Sequence, residues 1–377
     1  MMKTICVILG TRPEAIKLAP VILALKKNKN FNVLVCNTEQ QKELSNQTLS
    51  FFDIKADFRL DVMRPNQTLS GLQACILEKL YDVYDNNQID ATIVQGDTMT
   101  VFSGALNSFY HKVPVFHVEA GLRSNDLFEP FPEEAMRQMT SRIANLHFAP
   151  TNLAYKALLK EGVKSENIVL TGNTVVDALS CLSKQVLISA EKSLQNKGVA
   201  FSDKLVLVTV HRRENHGDRL VHILSAIKKL AKQFNDHQFV LPVHPNPNVH
   251  DKVYEVLEKV KNIVLTTPLD YPELVALMKN TKLILTDSGG IQEEAPTFGN
   301  PVLVMRYETE RMEGIEAGFS KLVGADEKKI IFQAGLILSQ RKEDVRFDGR
   351  QNPYGDGMAA QKIVEAIETY FKRSKEQ

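Results

Sequence analysis

Short apolar runs rich in Val, Ile and Leu alternate along this chain with longer segments of helical period. Residues 4–9, 32–37, 91–94, 113–118 and 146–149 form a first set of runs. Residues 168–170, 205–210, 238–242, 262–265, 283–285 and 302–305 form a second. The runs are nearly continuous rather than alternating, which predicts strands buried on both faces of parallel sheets. Helices are predicted over 13–27, 67–84, 132–144, 219–233 and 253–260, with a last amphipathic helix over 358–373. Pro20 falls inside the first of them and is expected to kink or shorten it, because it lacks an N–H and crowds the preceding turn.

The strand–helix rhythm implies an α/β fold with helices on both faces of each sheet. The rhythm runs twice, and 377 residues exceed one ordinary core, so two domains are expected. The boundary is placed at 172/173, giving domains 1–172 and 173–357, with a hinge near 171–177. Two doubly wound domains are expected to turn the carboxyl ends of their strands towards each other. Ligands bind beyond those ends, so the residues after each strand are the ones to read.

Bulk properties narrow the classes. Hydrophobic residues make up 44% and charged ones 24%, an ordinary globular balance. A net charge of +1 speaks against a nucleic-acid binder, which normally carries a basic stripe. No run reaches the ~20 apolar residues a membrane span needs. The apolar start is short and is followed at once by Arg12, Glu14 and Lys17, unlike a signal peptide, so a cytoplasmic protein is expected. Cys6, Cys36, Cys75 and Cys181 form no CxxC and no zinc spacing, and are expected to be reduced thiols.

The post-strand segments carry candidate chemistry, each with a plainer alternative. Gly10-Thr11-Arg12-Pro13-Glu14 is either a simple turn into a helix or an anion site with Arg12 as the cation. Asp97, after Gln95-Gly96, is a helix N-cap or a site carboxylate. Glu119 is a site carboxylate or an ion-pair partner of Arg123. Glu133 and Glu134 follow Pro132 and suit a helix first turn, with Glu133 spaced to pair with Arg137. His211-Arg212-Arg213 is a compact cationic cluster suited to a diphosphate, and His244 lies in a proline-stiffened loop. Thr286-Asp287-Ser288-Gly289-Gly290 runs from strand to helix and suits phosphate, with Glu294 one turn on for a ribose diol. It is neither GxGxxG nor a P-loop, and no metal-binding spacing is present.

Taken in order, these segments resemble the bacterial non-hydrolysing UDP-N-acetylglucosamine 2-epimerases. The match includes residues 10–17, 96–98, 117–123, 132–135, 147–151, 171–175, 211–215, 286–296 and 352–357. The resemblance implies a glycosyltransferase-B-like fold of two Rossmann-like domains with the active site in the interdomain cleft. The C-terminal helix 358–377 would pack back on the first domain. It implies interconversion of UDP-GlcNAc and UDP-ManNAc, without a cofactor or metal, in a cytoplasmic homodimer that serves cell-surface polysaccharide synthesis. UDP leaves C1 as the C2 proton is removed, giving 2-acetamidoglucal. UDP then returns with a proton delivered to the other face, which requires proton-transfer groups on two faces.

By the same resemblance Asp97, Glu119, Glu133 and His211 are catalytic. Arg12, Lys17, Arg137, His244, Ser288, Gly289, Gly290, Glu294 and Arg311 bind the UDP-sugar. Members are commonly activated by their own substrate at a second site, where Gln40 and Gln67 match, while Gln41 and Asn66 depart from the usual residues. Met136 and Met312 stand where the family often has Asn and Pro. Competing readings are a hydrolysing epimerase that releases ManNAc and UDP, a glycosyltransferase of the same fold, and a non-catalytic UDP-sugar sensor.

Overall fold

The computed structural model describes residues 2–347 and 349–373, so positions 374–377 of the expected C-terminal helix lie outside the described residues. The chain forms two compact units, Met1–Cys181 with Tyr354–Gln377, and Leu182–Pro353. Each is an α/β unit with one parallel sheet.

In the first unit the strands are β1 (Lys3–Leu9), β2 (Phe31–Asn37), β3 (Phe58–Arg59), β4 (Ala91–Gln95), β5 (Val115–Val118), β6 (Leu146–Ala149) and β7 (Ile168–Leu170). Their order is β3-β2-β1-β4-β5-β6-β7, parallel throughout. The second unit has β8 (Leu205–Thr209), β9 (Gln238–Pro242), β10 (Ile263–Thr266), β11 (Leu283–Thr286), β12 (Val302–Val304) and β13 (Ser320–Leu322). Their order is β10-β9-β8-β11-β12-β13, again parallel. In both sheets the chain winds outward from its first strand on one side, then returns and winds outward on the other. This is the doubly wound, Rossmann-like order. β4, β5, β6, β8 and β11 are buried at every residue, as continuous apolar runs require. The edge strands β3 and β13, two and three residues long, were not predicted, because such short pieces carry no period.

The helix Arg12–Lys27 is not shortened at Pro20. Residues on all its sides from Glu14 to Ile22 are buried, and that packing outweighs the hydrogen bond Pro20 cannot donate. The helix Met99–Tyr110 has no predicted counterpart; buried on most sides, it lacks the polar face that marks an amphipathic helix. The helix Pro247–Leu257 starts earlier than the predicted 253, where Asn246 caps it.

The C-terminal helix Ala359–Arg373 belongs to the first unit. Phe116, fully buried on β5, meets the rings of Tyr370 and Phe371 edge-on at 5.0 and 6.2 Å. Asp177 accepts from the Ala359 and Ala360 N–H groups at 3.2 and 2.8 Å, capping a helix far away in sequence.

Candidate functional site

Strand order reverses between β1 and β4 in the first sheet and between β8 and β11 in the second. A ligand is expected beyond the carboxyl ends of the strands at such a switch point. The candidate chemistry sits there in each unit.

In the first unit, Thr11 caps the helix after β1, and Glu14 in its first turn is buried. The Glu14 carboxylate accepts from the Gly10 N–H and the Thr98 hydroxyl, both at 2.7 Å. Burial raises its pKa to about 7, against the lowering effect of those bonds. Arg12 is half-buried, and among the described residues it forms no ion pair. Asp97 is not the N-cap of the helix after β4; Thr98 is, accepting from the Val101 N–H. Asp97 instead forms an ion pair with Arg137, whose other guanidinium nitrogen lies 3.2 Å from buried Glu134. The Gly96 carbonyl bonds His117 Nε2 at 2.8 Å, and burial lowers His117 to about 3, so this imidazole is neutral.

Glu119 directly follows β5 with φ 62°, a left-handed conformation that costs a non-glycine residue roughly 1–3 kcal/mol. Its carboxylate accepts from Lys17 Nζ at 2.5 Å and from Gln95 Nε2 at 3.1 Å. The alternative pairing with Arg123 is not made: Arg123 holds Glu161 at 2.6 Å. Glu133 opens the helix Glu133–Ile143, and its Oε2 is buried with no hydrogen-bond partner. The pairing of Arg137 with Glu133 is replaced by pairs to Asp97 and Glu134. Gln40 Oε1 accepts from the Thr100 N–H and hydroxyl at 3.2 and 2.8 Å. Gln67 is tied into its own turn, accepting from the Arg64 N–H at 3.1 Å and donating to the Val62 carbonyl at 3.2 Å.

In the second unit, β8 leads into His211-Arg212-Arg213. Asp287, fully buried after β11, accepts from the N–H groups of His211 and Arg212 and from Asn215 Nδ2, at 3.0–3.1 Å. The His211 ring stacks on His244, with centroids 6.1 Å apart. His244 Nδ1 accepts from the Asn246 N–H at 3.2 Å, and burial lowers its pKa. Ser288 begins the helix Gly289–Glu294, only six residues long, so charge at its start must come mainly from side chains. A Cβ on Gly289 would lie 3.1 Å from the Arg311 guanidinium carbon and 3.3 Å from Arg212 Nη2. Glycine is what lets both arginines close over this turn. Arg311 is held by Glu293 and Glu310, each at 3.0 Å, and Glu294 is buried beside them. Arg212 has a buried Nε without a partner and, among the described residues, no ion pair. Burial lowers its pKa, helped by Arg306. A cation left unpaired beside a glycine turn suits an incoming anion.

Residues 23–368 match the family model described as UDP-N-acetylglucosamine 2-epimerase. The UDP-N-acetylglucosamine 2-epimerase of Neisseria meningitidis is 43% identical over 363 residues, 96% of this chain and 98% of that protein. The Escherichia coli K12 enzyme of that name is 44% identical, over 96% of this chain and 97% of its own. The chain belongs to the UDP-N-acetylglucosamine 2-epimerase family. Among solved members, the Neisseria meningitidis enzyme bound to UDP-GlcNAc superposes with a TM-score of 0.89 at 43% identity, covering 98% of this chain and 100% of that one. The Methanocaldococcus jannaschii enzyme in complex with UDP-GlcNAc and UDP gives 0.79 at 34%, over 98% and 100%.

Within this 2-epimerase family member, Met136 is a buried core side chain and Met312 is exposed. Glu14, Gln95 and Asp287 escaped the reading of the sequence. Each looks like an ordinary turn or strand-end residue until the fold shows what it bonds. The signal open to view was that Glu14 and Asp287 stand inside the post-strand motifs 10–14 and 286–290. Among the described residues no group of three His, Cys, Asp or Glu converges as a metal site would, and no helix is long and apolar enough to cross a membrane.

Proposed function

We propose that this protein interconverts UDP-GlcNAc and UDP-ManNAc without net hydrolysis. In this reading a carboxylate of the first unit removes the proton from C2 while the C1–oxygen bond to UDP breaks. The electron pair of the C–H bond becomes the C1–C2 double bond of 2-acetamidoglucal. UDP oxygen then re-forms the bond to C1, and a second carboxylate delivers a proton to the opposite face of C2. Asp97, Glu119 and Glu133 are the proton-transfer candidates. Arg12, Lys17, Arg137, His244, Ser288, Gly289, Gly290, Glu294 and Arg311 bind the UDP-sugar, and His211 acts on the departing UDP. Arg212 joins them as a cation for the departing diphosphate. Gln40 and Gln67 serve substrate activation. Homodimeric assembly, cytoplasmic residence and supply of a cell-surface polysaccharide precursor complete the reading, as the family resemblance implies.

One observation carries it. The first unit holds three carboxylates in two different states. Asp97 and Glu119 each hold a cation, whereas one oxygen of Glu133 is buried without an internal partner. A buried carboxylate oxygen without an internal partner is open to a proton or a substrate group; chemistry that moves protons to and from carbon uses such unequal groups.

The test is NMR of the purified protein with UDP-GlcNAc in D₂O. UDP-ManNAc bearing deuterium at C2 is the expected product. Free ManNAc with UDP would reassign the protein to hydrolysis, and an unchanged spectrum would overturn the reading. Asp97→Asn, Glu119→Gln and Glu133→Gln should each lower turnover by about 10²-fold or more while UDP still binds.

A further inference from the structure

We propose that Asp287 is a positioning residue for His211, holding the imidazole with its proton on Nδ1 so that Nε2 is the nitrogen presented to the substrate. This rests on His211 acting on the departing UDP.

Asp287 is fully buried, so water does not satisfy its carboxylate. Its Oδ2 accepts from the Arg212 N–H at 3.0 Å and from Asn215 Nδ2 at 3.0 Å, and the His211 N–H reaches both oxygens at 3.1 Å. The orientation of Asn215 is fixed by chemistry, since the same nitrogen also faces the Met305 carbonyl at 3.1 Å. The remaining neighbour of Oδ1 is His211 Nδ1, at 3.1 Å. At that ion-pair distance a bare Nδ1 lone pair would face the negative carboxylate, so Nδ1 carries the proton. Burial by itself would raise Asp287, but the adjoining His211 ring and the bonds from Arg212 and Asn215 outweigh it and hold the carboxyl below its usual range.

The neighbouring ring has the complementary arrangement. His244 Nδ1 accepts the Asn246 N–H, so neutral His244 carries its proton on Nε2. The stacked pair thus offers different groups: His244 a neutral N–H donor, His211 an Nε2 that can take up a proton while Asp287 balances the charge. Substrate would meet His211 at the edge opposite Asp287, since the ring is 39% exposed and its Nδ1 edge faces a buried carboxylate.

A simpler role for Asp287 is to pin the 211–215 turn, and the test separates the two. Histidines labelled with ¹⁵N give each ring's tautomer directly, with His211 assigned by the signal lost in His211→Gln. The wild type should show His211 protonated on Nδ1. Asp287→Asn can turn an amide N–H towards the ring and should move the proton to Nε2. It should also lower kcat by about 10²-fold or more, with KM for UDP-GlcNAc within about 3-fold. Asp287→Asn combined with His211→Gln should be no slower than His211→Gln alone, because both remove one unit of function. A wild-type His211 with its proton on Nε2 overturns the proposal, even if Asp287→Asn does not fold. Losses that multiply in the double variant, or a KM effect without a kcat effect, also overturn it and leave the pinning role. A wild type inert towards UDP-GlcNAc would remove the proposed reaction, while the tautomer spectrum would still decide the role of Asp287.

Discussion

Glu14 is buried, and burial places its pKa near 7 instead of the ordinary 4.5. The native state therefore binds this proton more tightly than the unfolded chain does. As pH rises from about 4.5 to about 7, the unfolded carboxyl has ionised and the native one has not yet done so, and stability falls. Each pH unit of that interval is worth about 1.4 kcal/mol, so the full loss is roughly 3 kcal/mol, complete above pH 7. Glu14→Gln removes the charge and most of this loss. Its amide oxygen can still accept from the Gly10 N–H, and its nitrogen can donate to Thr98 Oγ1, which already serves as a cap acceptor. The second amide hydrogen loses a partner, at about 1 kcal/mol. Glu14→Gln should thus be slightly less stable than wild type near pH 4.5 and about 2 kcal/mol more stable at pH 8. Urea unfolding followed by far-UV circular dichroism, with both proteins at pH 5, 6, 7 and 8, measures the difference. A difference that does not change with pH, or a glutamine variant less stable at pH 8, would refute the argument that Glu14 is held near neutrality by burial.

Other expectations follow from particular contacts. Gly121→Ala must place a Cβ 2.3 Å from the Ala154 carbonyl oxygen at φ 93°, and should lower stability by about 2 kcal/mol or more, seen as a reduced Tm. Phe116→Ala removes the ring under Tyr370 and Phe371 and should cost about 3–5 kcal/mol, with faster hydrogen exchange in the helix Ala359–Arg373. Burial pushes the Cys6 thiol up to about 12 and also raises Cys36 and Cys181, so at pH 8 the native protein should react slowly with a thiol reagent at these positions. All four cysteines should then titrate in denaturant. Lys17→Met removes the ion pair on Glu119 and should lower turnover by about 10-fold or more while circular dichroism stays unchanged.

The alternation of continuous apolar runs and helical periods was enough to determine the α/β class, the two parallel sheets and the segments that follow each strand. Burial on both faces leaves a pattern that any window of sequence displays. The same logic hid what has no local period. β3 and β13 are too short, and the helix Met99–Tyr110 is buried on most sides. Site positions were legible as strand-end motifs, but their partners were not. Local spacing offered Glu119 to Arg123 and Glu133 to Arg137, four residues apart in each case. The fold joins Glu119 to Lys17, 102 residues away, and Arg137 to Asp97, 40 residues away. Asp287 likewise reaches back 76 residues to His211. Parallel strands bring their ends together only after long crossovers, so which charge meets which is set by sheet order and register. The sequence by itself determined the residue types at the switch points; only the tertiary structure decided which carboxylate holds a cation, which oxygen is left unsatisfied, and which imidazole nitrogen faces a buried carboxylate.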